Sequence, residues 1–454
     1  MADFVTPTEM ARELGVEAEA VRSWLRGRRD RGDRRLADQE PGRAWRLDPG
    51  QAWDLIREFA VERLGQTVED VWGPHAWLNW HAFTAGRPKR TSPRTSTSLV
   101  LPTWQEYAVY SDAPARGELR LGPYRFINTL AEERGVGSAA LRLVIRADDH
   151  LGEPDYTTPI DEEDVTAWVG GDLSDELAAV LSLALARRMR SGGVTREGWA
   201  NGDPVGTPIE GKHDPPVLIP PRGAPMLPRV AEVMSLQDAE PFLEQYRRLG
   251  QDDAVAVARA ARQFADALWL ADADARLSWI KLVGAVETAA NRWDAAKETS
   301  PVALLRRHRK RVYNAIKDCG EDVVLRVAKD LAGTFKATDK FKGFLLEFDP
   351  GPPKDRPDVG RFDWSGLADA LDWVYTHRSR DLHAGIAFPA PLCEPPAAGA
   401  GPPHETFPAI AAEAGGGRWM AEQLPLYLHV FVYVAGDAIR RWWMALPAGA
   451  PAER

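Results

Sequence analysis

The chain has 454 residues, a formal net charge of -9 and an apolar fraction of 44% that includes 17 tryptophans. This length exceeds what one hydrophobic core usually organises, so two or three domains are expected in a globular chain. The net acidity argues against a protein that coats nucleic acid over its whole surface, although local basic patches remain compatible with it.

The cysteine content and the N-terminus both bear on the cellular compartment. Cys319 and Cys393 are too few for a disulfide framework or a thiolate zinc site, and they fit a reducing environment. The first residues, "MADFVTPTEM", lack the basic-then-apolar layout of a signal peptide. The most apolar stretch, "LPLYLHVFVYVAG" (424–436), is shorter than the roughly 20 residues that cross a bilayer, so it predicts a buried helix. We expect a cytoplasmic protein with no membrane partner.

The first segment shows the pattern of a helix-turn-helix. Thr6 as N-cap, with Glu9 three residues later, predicts a helix that runs to Leu14. After a turn, a second helix is expected over residues 17–26. A short strand pair and a third helix capped by Asp48 complete the pattern.

This segment resembles the small winged helix-turn-helix modules of the excisionase and MerR kind, and residues 1–64 are assigned to such a domain. Seven arginines and only two aspartates lie between Arg22 and Arg35. Such a cluster is typical of a surface beside phosphates. The candidate DNA contacts are Arg22, Arg26, Arg28 and Arg29. Because a helix-turn-helix is also used as a docking unit, DNA and protein stay open as partners.

The middle of the chain changes from a linker pattern to a strand pattern. Residues 65–98 are predicted to be a linker, since "AFTAGRPKRTSPRTSTS" at their end is polar, basic and broken by proline. Residues 99–228 contain strand patterns in "GELRLGPYRFINTL" and "ALRLVIRADD", then one helix pattern, "LSDELAAVLSLALARRMRSGG", and a proline-rich end. We expect an α+β middle domain, for which no ligand is predicted.

Residues 229–454 are predicted to be α-helical, with a low-complexity, flexible insertion at residues 394–417 that is a candidate lid. In "DWSGLADALDWVYTHRSRDLH" an apolar helix stripe passes through Leu371 and Val374 and next reaches Arg378. An inward guanidinium is costly unless it meets a carboxylate or a phosphate. Arg378 therefore needs a partner.

His383 lies five residues after Arg378, which is about 140° around an ideal helix. The two side chains meet only if Gly385 ends the helix and frees His383, or if two copies of the motif face each other in a dimer. An imidazole beside RNA can take the proton of a ribose 2′-hydroxyl or protonate the leaving oxygen. The arginine would stabilise charge on the phosphorus oxygens without a metal or another cofactor.

The stretch "YTHRSRDLHAG" resembles the R-x4-H signature of HEPN domains, in particular the Apea-like group, and the similarity spans roughly residues 265–446. "ALWLADADARLSWIKLVGAVETAAN" (267–291) resembles the first long helix of those domains and places their acidic residue at Glu287, which is expected to pair with Arg378. The resemblance implies a dimeric, metal-independent ribonuclease of toxin-antitoxin or anti-phage systems, triggered by a phage-derived factor or released by an antitoxin. Arg378 and His383 would be catalytic.

Further residues are assigned supporting roles. Tyr375, His377 and Ser379 would shape the pocket or contact RNA. Many HEPN nucleases carry Asn, Asp or His after the arginine, where this chain has Ser379. The run "RRHRKR" is expected on a helix, as a groove for RNA or as a solvated face. Its candidate contacts are Arg306, Arg307, Arg309, Lys310 and Arg311.

Three alternatives stay beside the plain nuclease. His377 and Asp381 are four residues apart on one helix face, as metal ligands can be, and His383 is nearby, but no convincing third ligand lies in phase. A transcriptional regulator would use the N-terminal module on DNA and the HEPN-like domain only to dimerise or bind nucleotide. A combined protein would sense an invader with its N-terminal and middle domains and release the helical domain to destroy RNA.

Overall fold

In the computed structural model, the chain combines α-helices with antiparallel sheet. The mixed composition agrees in outline with the predicted fold class. The residues that the structure describes are 5–14, 16–36, 39, 45–47, 52, 55, 59, 63, 73–86, 102–128, 140–151, 165, 167–199, 202–211, 216, 224–228, 233–295, 301–308, 310–332, 337–397 and 401–448.

Two helices, α1 (Pro7–Leu14) and α2 (Ala18–Asp30), begin the chain. The predicted cap of α1 is present, because the Thr6 N–H donates to Glu9 Oε2 over 2.7 Å and the Glu9 N–H donates to Thr6 Oγ1 over 3.3 Å. Asp48 and most of the predicted third helix lie outside the described residues. Both helices contribute to one small hydrophobic cluster, which includes Met10, Trp24 and Leu25 from the helices and Leu55 and Phe59 from further along the chain.

A third helix, α3 (His75–Thr84), lies inside the interval predicted to be a linker. Trp77 and Trp80 on this helix are buried in the largest hydrophobic cluster of the chain. The Glu176 carboxylate accepts hydrogen bonds from the backbone N–H groups of Ala76 (2.8 Å) and Trp77 (3.2 Å), and so caps α3. The linker prediction over residues 65–98 is therefore wrong for α3, because two buried tryptophans and a buried carboxylate hold it to the core.

Six strands form one antiparallel sheet, and a pair of two-residue strands lies beside it. The bounds are β1 (Trp104–Ser111), β2 (Ala115–Arg116), β3 (Glu118–Leu121), β4 (Tyr124–Asn128), β5 (Ala140–Asp148), β6 (Met189–Gly198), β7 (Thr207–Pro208) and β8 (Met234–Ser235). The large sheet has the order β3-β4-β5-β1-β6-β7, and β2 pairs in parallel with β8. One face of the sheet, which includes Tyr107, Leu119 and Phe126, belongs to the large cluster. These strands confirm the sheet expected in the middle of the chain.

Helix α4 (Leu173–Leu185) follows β5 and is shorter than the pattern predicted. Asp172 caps its start by accepting from the N–H groups of Ser174 and Asp175. Ala186 then adopts a φ of 49°, and the chain enters β6 three residues later. The prediction of one helix through "RRMRSGG" is wrong, because pairing of this segment with β1 overrides its local helix propensity.

The remaining chain is mainly helical. Its helices are α5 (Glu240–Tyr246), α6 (Gln251–Leu270), α7 (Ala275–Ala295), α8 (Pro301–His308), α9 (Lys310–Ile316), α10 (Glu321–Ala332), α11 (Ala337–Glu347), α12 (Leu367–Ala384) and α13 (Leu428–Ala445). The stretch 267–291, which was expected to be one helix, spans the end of α6 and most of α7 with a break at residues 271–274. A single hydrophobic cluster extends from Ala76 to Trp443, so the described core continues across the boundary predicted at residues 228/229.

The low-complexity insertion carries fixed contacts. Glu405, which is 2% exposed, accepts from Arg356 Nε over 2.9 Å and from the Phe362 N–H over 2.7 Å. A hairpin of β9 (Ala411–Ala414) and β10 (Gly417–Met420) follows. The expectation of a flexible segment is therefore wrong for this part of the insertion, because a buried ion pair anchors it.

Helix α13 contains most of the apolar stretch at residues 424–436. Phe431 and Val434 on this helix are buried in the large cluster, as predicted for residues 424–436, and Trp443 further along it is buried there as well. Within the described residues, no helix combines the length and the hydropathy needed to span a membrane.

Candidate active site on helix α12

Helix α12 presents the candidate catalytic residues. Its inward stripe buries Leu371, Val374 and Tyr375, and it ends at Ala384. Gly385 follows with a φ of 66°, and its N–H donates to the Arg380 carbonyl oxygen. The helix therefore continues through the whole "RSRDLH" stretch and ends directly after it.

Arg378 is held at the interface between α12 and α7. Its Nη2 donates to Glu287 Oε2, and the two side chains are each 18% exposed. The guanidinium carbon also lies 5.6 Å from the centroid of the Tyr375 ring. The ion pair expected between Arg378 and Glu287 is thus present.

The contacts of Arg378 leave part of its guanidinium free. Its Nε is buried and has no hydrogen-bond acceptor, and no described residue accepts from its Nη1. An arginine offers five donors in a planar fork, so donors remain on this guanidinium beyond the one that Glu287 accepts. Glu287 therefore orients the Arg378 guanidinium without accepting hydrogen bonds from all of its N–H groups.

Tyr375 completes the contacts of Glu287. Its hydroxyl donates to Glu287 Oε1 over 3.0 Å. Burial, together with the negative charge of Glu287, raises the pKa of Tyr375 to about 12, so the phenol remains a hydrogen-bond donor near neutral pH. One carboxylate therefore aligns two residues of the motif.

His383 is separated from this cluster. It lies in the last turn of α12, is exposed, and makes no hydrogen bond to the described residues. Leu382, which follows Arg378 by about one helical turn, is 49% exposed. Arg378 and His383 do not share one cleft within this chain, because α12 stays helical between them.

The other supporting candidates differ in environment. His377 is 4% exposed, and its Nε2 lies 2.7 Å from the Gln423 carbonyl oxygen. Burial lowers the pKa of His377, so its neutral form is favoured in this interior position. Ser379 is partly exposed on the helix surface. His377 is thus placed for packing, whereas Ser379 remains accessible.

Sequence reasoning missed the partner of Asp381, a residue it weighed only as a metal ligand. Asp381 is buried and accepts from Nε and Nη2 of Arg276, each over 2.6 Å. Among the described residues, no group of three histidine, cysteine or acidic side chains is placed to hold a metal ion. The two partners are 105 positions apart, so no local pattern signals the pair.

The arginines of the N-terminal basic segment are largely paired with nearby carboxylates. Arg22 and Arg26 both contact Glu19, and Arg22 does so over 3.2 Å. Arg28 contacts Asp33 over 3.1 Å, and Arg29 contacts Asp30 over 3.1 Å. These exposed or partly exposed pairs contribute little to stability and compete with phosphates for the arginines.

The second basic run lies at the end of α8 and the start of α9, with Arg309 between them in the sequence. Arg306 is exposed on α8, and Lys310 and Arg311 are exposed on α9. Arg309 and the side chain of Arg307 lie outside the described residues. The described residues of this run are helical, in agreement with the helix expected for "RRHRKR".

Comparisons of the chain with family models, with curated proteins and with solved structures gave no match.

Proposed function

We propose that the chain is a metal-independent endoribonuclease of the HEPN type, with Arg378 and His383 as its catalytic residues. The observation that carries the proposal is the setting of Arg378. Glu287 and Tyr375 hold it half-buried, while its Nε and Nη1 have no acceptor among the described residues. An oriented, incompletely paired guanidinium suits a phosphate group.

The chemistry follows from the two side chains. The imidazole of His383 takes the proton of a ribose 2′-hydroxyl, and the 2′-oxygen attacks the adjacent phosphorus. A 2′-oxygen–phosphorus bond forms as the phosphorus–5′-oxygen bond breaks, and the 5′-oxygen receives a proton. Arg378 stabilises the charge on the equatorial oxygens. The products are a 2′,3′-cyclic phosphate and a 5′-hydroxyl.

The separation of the two residues on α12 favours a homodimer. Arg378 and His383 lie about 140° apart around α12, so within one chain they project from different sides of the helix. Two copies related by a twofold axis would place Arg378 of each chain near His383 of the other. In each such cleft one imidazole accepts the 2′ proton, and the leaving 5′-oxygen takes a proton from water.

The proposal includes the finer domain layout and a biological setting. The N-terminal helices would form the winged helix-turn-helix module, the strands the middle domain, and the C-terminal helices a HEPN-like bundle. We propose a cytoplasmic toxin or anti-phage effector controlled by an antitoxin or by a phage-derived trigger. The contacts of Glu287 with Arg378 and Tyr375 support a site in which the cation is already oriented towards a phosphate.

Cleavage of end-labelled RNA in EDTA tests the proposal. The full chain should leave 2′,3′-cyclic phosphates, and Arg378→Ala and His383→Ala should each lower the rate by at least a hundredfold. Arg380→Ala is the matched control, because Arg380 is exposed on the same helix. A mixture of Arg378→Ala and His383→Ala should regain activity, since a mixed dimer holds one intact composite site. Full activity in both variants would refute the proposal.

A transcriptional regulator is the second candidate. It is supported by the compact N-terminal cluster around Trp24, with Arg22 and Arg26 on the exposed side of α2. In this case an Arg22→Ala/Arg26→Ala variant would bind duplex DNA more weakly than wild type. The His383→Ala variant would bind DNA as wild type does, and neither protein would cleave RNA.

A further inference from the structure

The sheet face opposite the large cluster carries arginines in cross-strand register. Arg120 lies opposite Arg125, and Arg125 lies opposite Arg146. Glu106 lies opposite Arg146 on one side and opposite Arg196 on the other. One charged residue therefore stands at the same level on each of the five consecutive strands β3, β4, β5, β1 and β6, and four of the five are arginines. We call this set the arginine row.

The arginine row has one internal anion. Glu106 lies 3.7 Å from Arg146 Nη1 and 3.6 Å from Arg196 Nε, so two arginines share its carboxylate. Arg120 and Arg125 are exposed, and neither forms an ion pair with a described residue. The row therefore presents more positive charge than its neighbours on the sheet compensate.

Without an anionic ligand, the arginine row lowers the free energy of unfolding of the sheet. Like charges directly opposite each other on neighbouring strands repel, and the row contains two such pairs, Arg120 with Arg125 and Arg125 with Arg146. Glu118 and Asp148 lie on the same face, each two residues along its strand from an arginine of the row. A chain of net charge -9 has no need of these arginines for solubility. An anionic ligand would offset the repulsion.

An aromatic residue beneath the row indicates which part of a ligand is contacted. The Arg146 guanidinium lies 3.6 Å from the centroid of the Trp104 ring, and Trp104 is only 5% exposed. The indole is therefore covered by the arginine and is not available to stack on a base. The face offers guanidinium groups, which match phosphate oxygens in two-point contacts.

We propose that the arginine row binds the sugar-phosphate backbone of single-stranded nucleic acid without sequence preference. Strands lie about 4.8 Å apart, so the four arginines are distributed over about 19 Å, with Glu106 between Arg146 and Arg196. A polymer with one negative charge in every unit fits such a row, whereas an acidic peptide needs a special run of residues. The site is distinct from α12, and the proposal goes beyond the ribonuclease and does not depend on it.

A probe without free 2′-hydroxyl groups cannot be cleaved by the proposed ribonuclease mechanism. Its binding therefore tests the arginine row separately from cleavage on α12. We would measure fluorescence anisotropy of a labelled 2′-O-methyl oligouridylate with the full chain between about 50 and 200 mM salt. The variant is Arg120→Gln/Arg125→Gln, which removes two exposed charges that form no ion pair with a described residue. The control is Lys354→Gln/Arg418→Gln, which removes the same charge from exposed loop and hairpin positions. Thermal melting checks that all three proteins are folded.

The sheet variant should bind about tenfold more weakly than wild type, and its plot of log affinity against log salt should be shallower by about 1.4, because two phosphate contacts are lost. The control should behave as wild type. Equal weakening in the variant and the control, or an unchanged affinity in the sheet variant, would overturn the proposal. It is also overturned if wild type binds polyglutamate through these arginines and does not bind the oligouridylate, since the row would then serve an acidic protein.

Discussion

Asp381, which lies between Arg378 and His383 in the sequence, accepts two hydrogen bonds of 2.6 Å from the guanidinium of Arg276. Its side chain is buried. The Phe388 N–H donates to the same carboxylate over 3.3 Å. This pair joins the last turns of α12 to the first turn of α7. It therefore fixes the end of the helix that carries both proposed catalytic residues.

We expect Arg276→Ala to lower the free energy of unfolding by about 2 kcal/mol. The substitution leaves a buried carboxylate without its cation, although the half-exposed position of Arg276 lets water reach the site and moderates the loss. Urea denaturation measures the change. Arg380→Ala, on the exposed side of α12, should stay within about 0.5 kcal/mol of wild type. Equal stability of the two variants would show that the pair does not stabilise α12.

Glu176 should make stability depend on pH. Its carboxylate is buried against the backbone N–H groups of Ala76 and Trp77 and the Tyr246 hydroxyl, and burial raises its pKa to about 7. Below the unfolded value of about 4.5 both states hold the proton and the contribution is fully present. As pH rises to 7, only the folded state keeps the proton, so stability falls.

The matched variant for this prediction is Glu176→Gln, which cannot titrate. The stability of wild type relative to the variant should be lower at pH 8 than at pH 5, by on the order of 3 kcal/mol. The difference is the useful quantity, because burial lowers the pKa of His81 to about 4 and so destabilises the fold as pH falls below about 6.5. A constant difference across this range would mean that Glu176 is ionised equally in both states.

The arginine row should impose a measurable cost on the sheet. Replacing Arg125 by threonine removes both like-charge pairs of the row and introduces a residue that favours strands, so we expect a gain of about 0.5 kcal/mol in unfolding free energy. The gain should shrink in high salt, because screening weakens the repulsion. Arg196→Thr is the control, since it breaks the contact with Glu106 and should give no gain. Denaturant titrations at low and high salt provide both measurements.

Local patterns predicted the parts of the structure that depend on neighbours in the chain. Thr6 and Glu9 are three residues apart, and their reciprocal cap is present. The helix period likewise placed Arg378 on the inward side of α12, where it meets Glu287. Both features follow from the spacing of residues within a single helix. The choice of Glu287 as the partner of Arg378 came from the resemblance of residues 267–291 to the first long helix of HEPN domains.

Features that depend on tertiary pairing were not predicted. The partner of Asp381 and the register of the arginine row depend on contacts between segments that are distant in the sequence. The spacing of residues within one segment therefore gives no information about either. Helix α3 was assigned to a linker because polar, proline-broken sequence follows it, although Trp77 and Trp80, three residues apart, were a signal of burial. The catalytic roles on α12 stay predictions for the cleavage assays.

The shared core bears on whether the C-terminal helices can act as a released domain. Tyr246 on α5 donates to Glu176 on α4 over 2.7 Å, across the boundary predicted at residues 228/229. Leu177 and Leu181 of α4 lie in the same cluster as the C-terminal helices. A fragment of residues 229–454 therefore exposes a large apolar surface, and we expect no cooperative thermal unfolding from it. A fragment of residues 73–454 keeps the cluster and should unfold cooperatively. If the shorter fragment also unfolds cooperatively, the helices form an independent domain, and activation by release becomes physically possible.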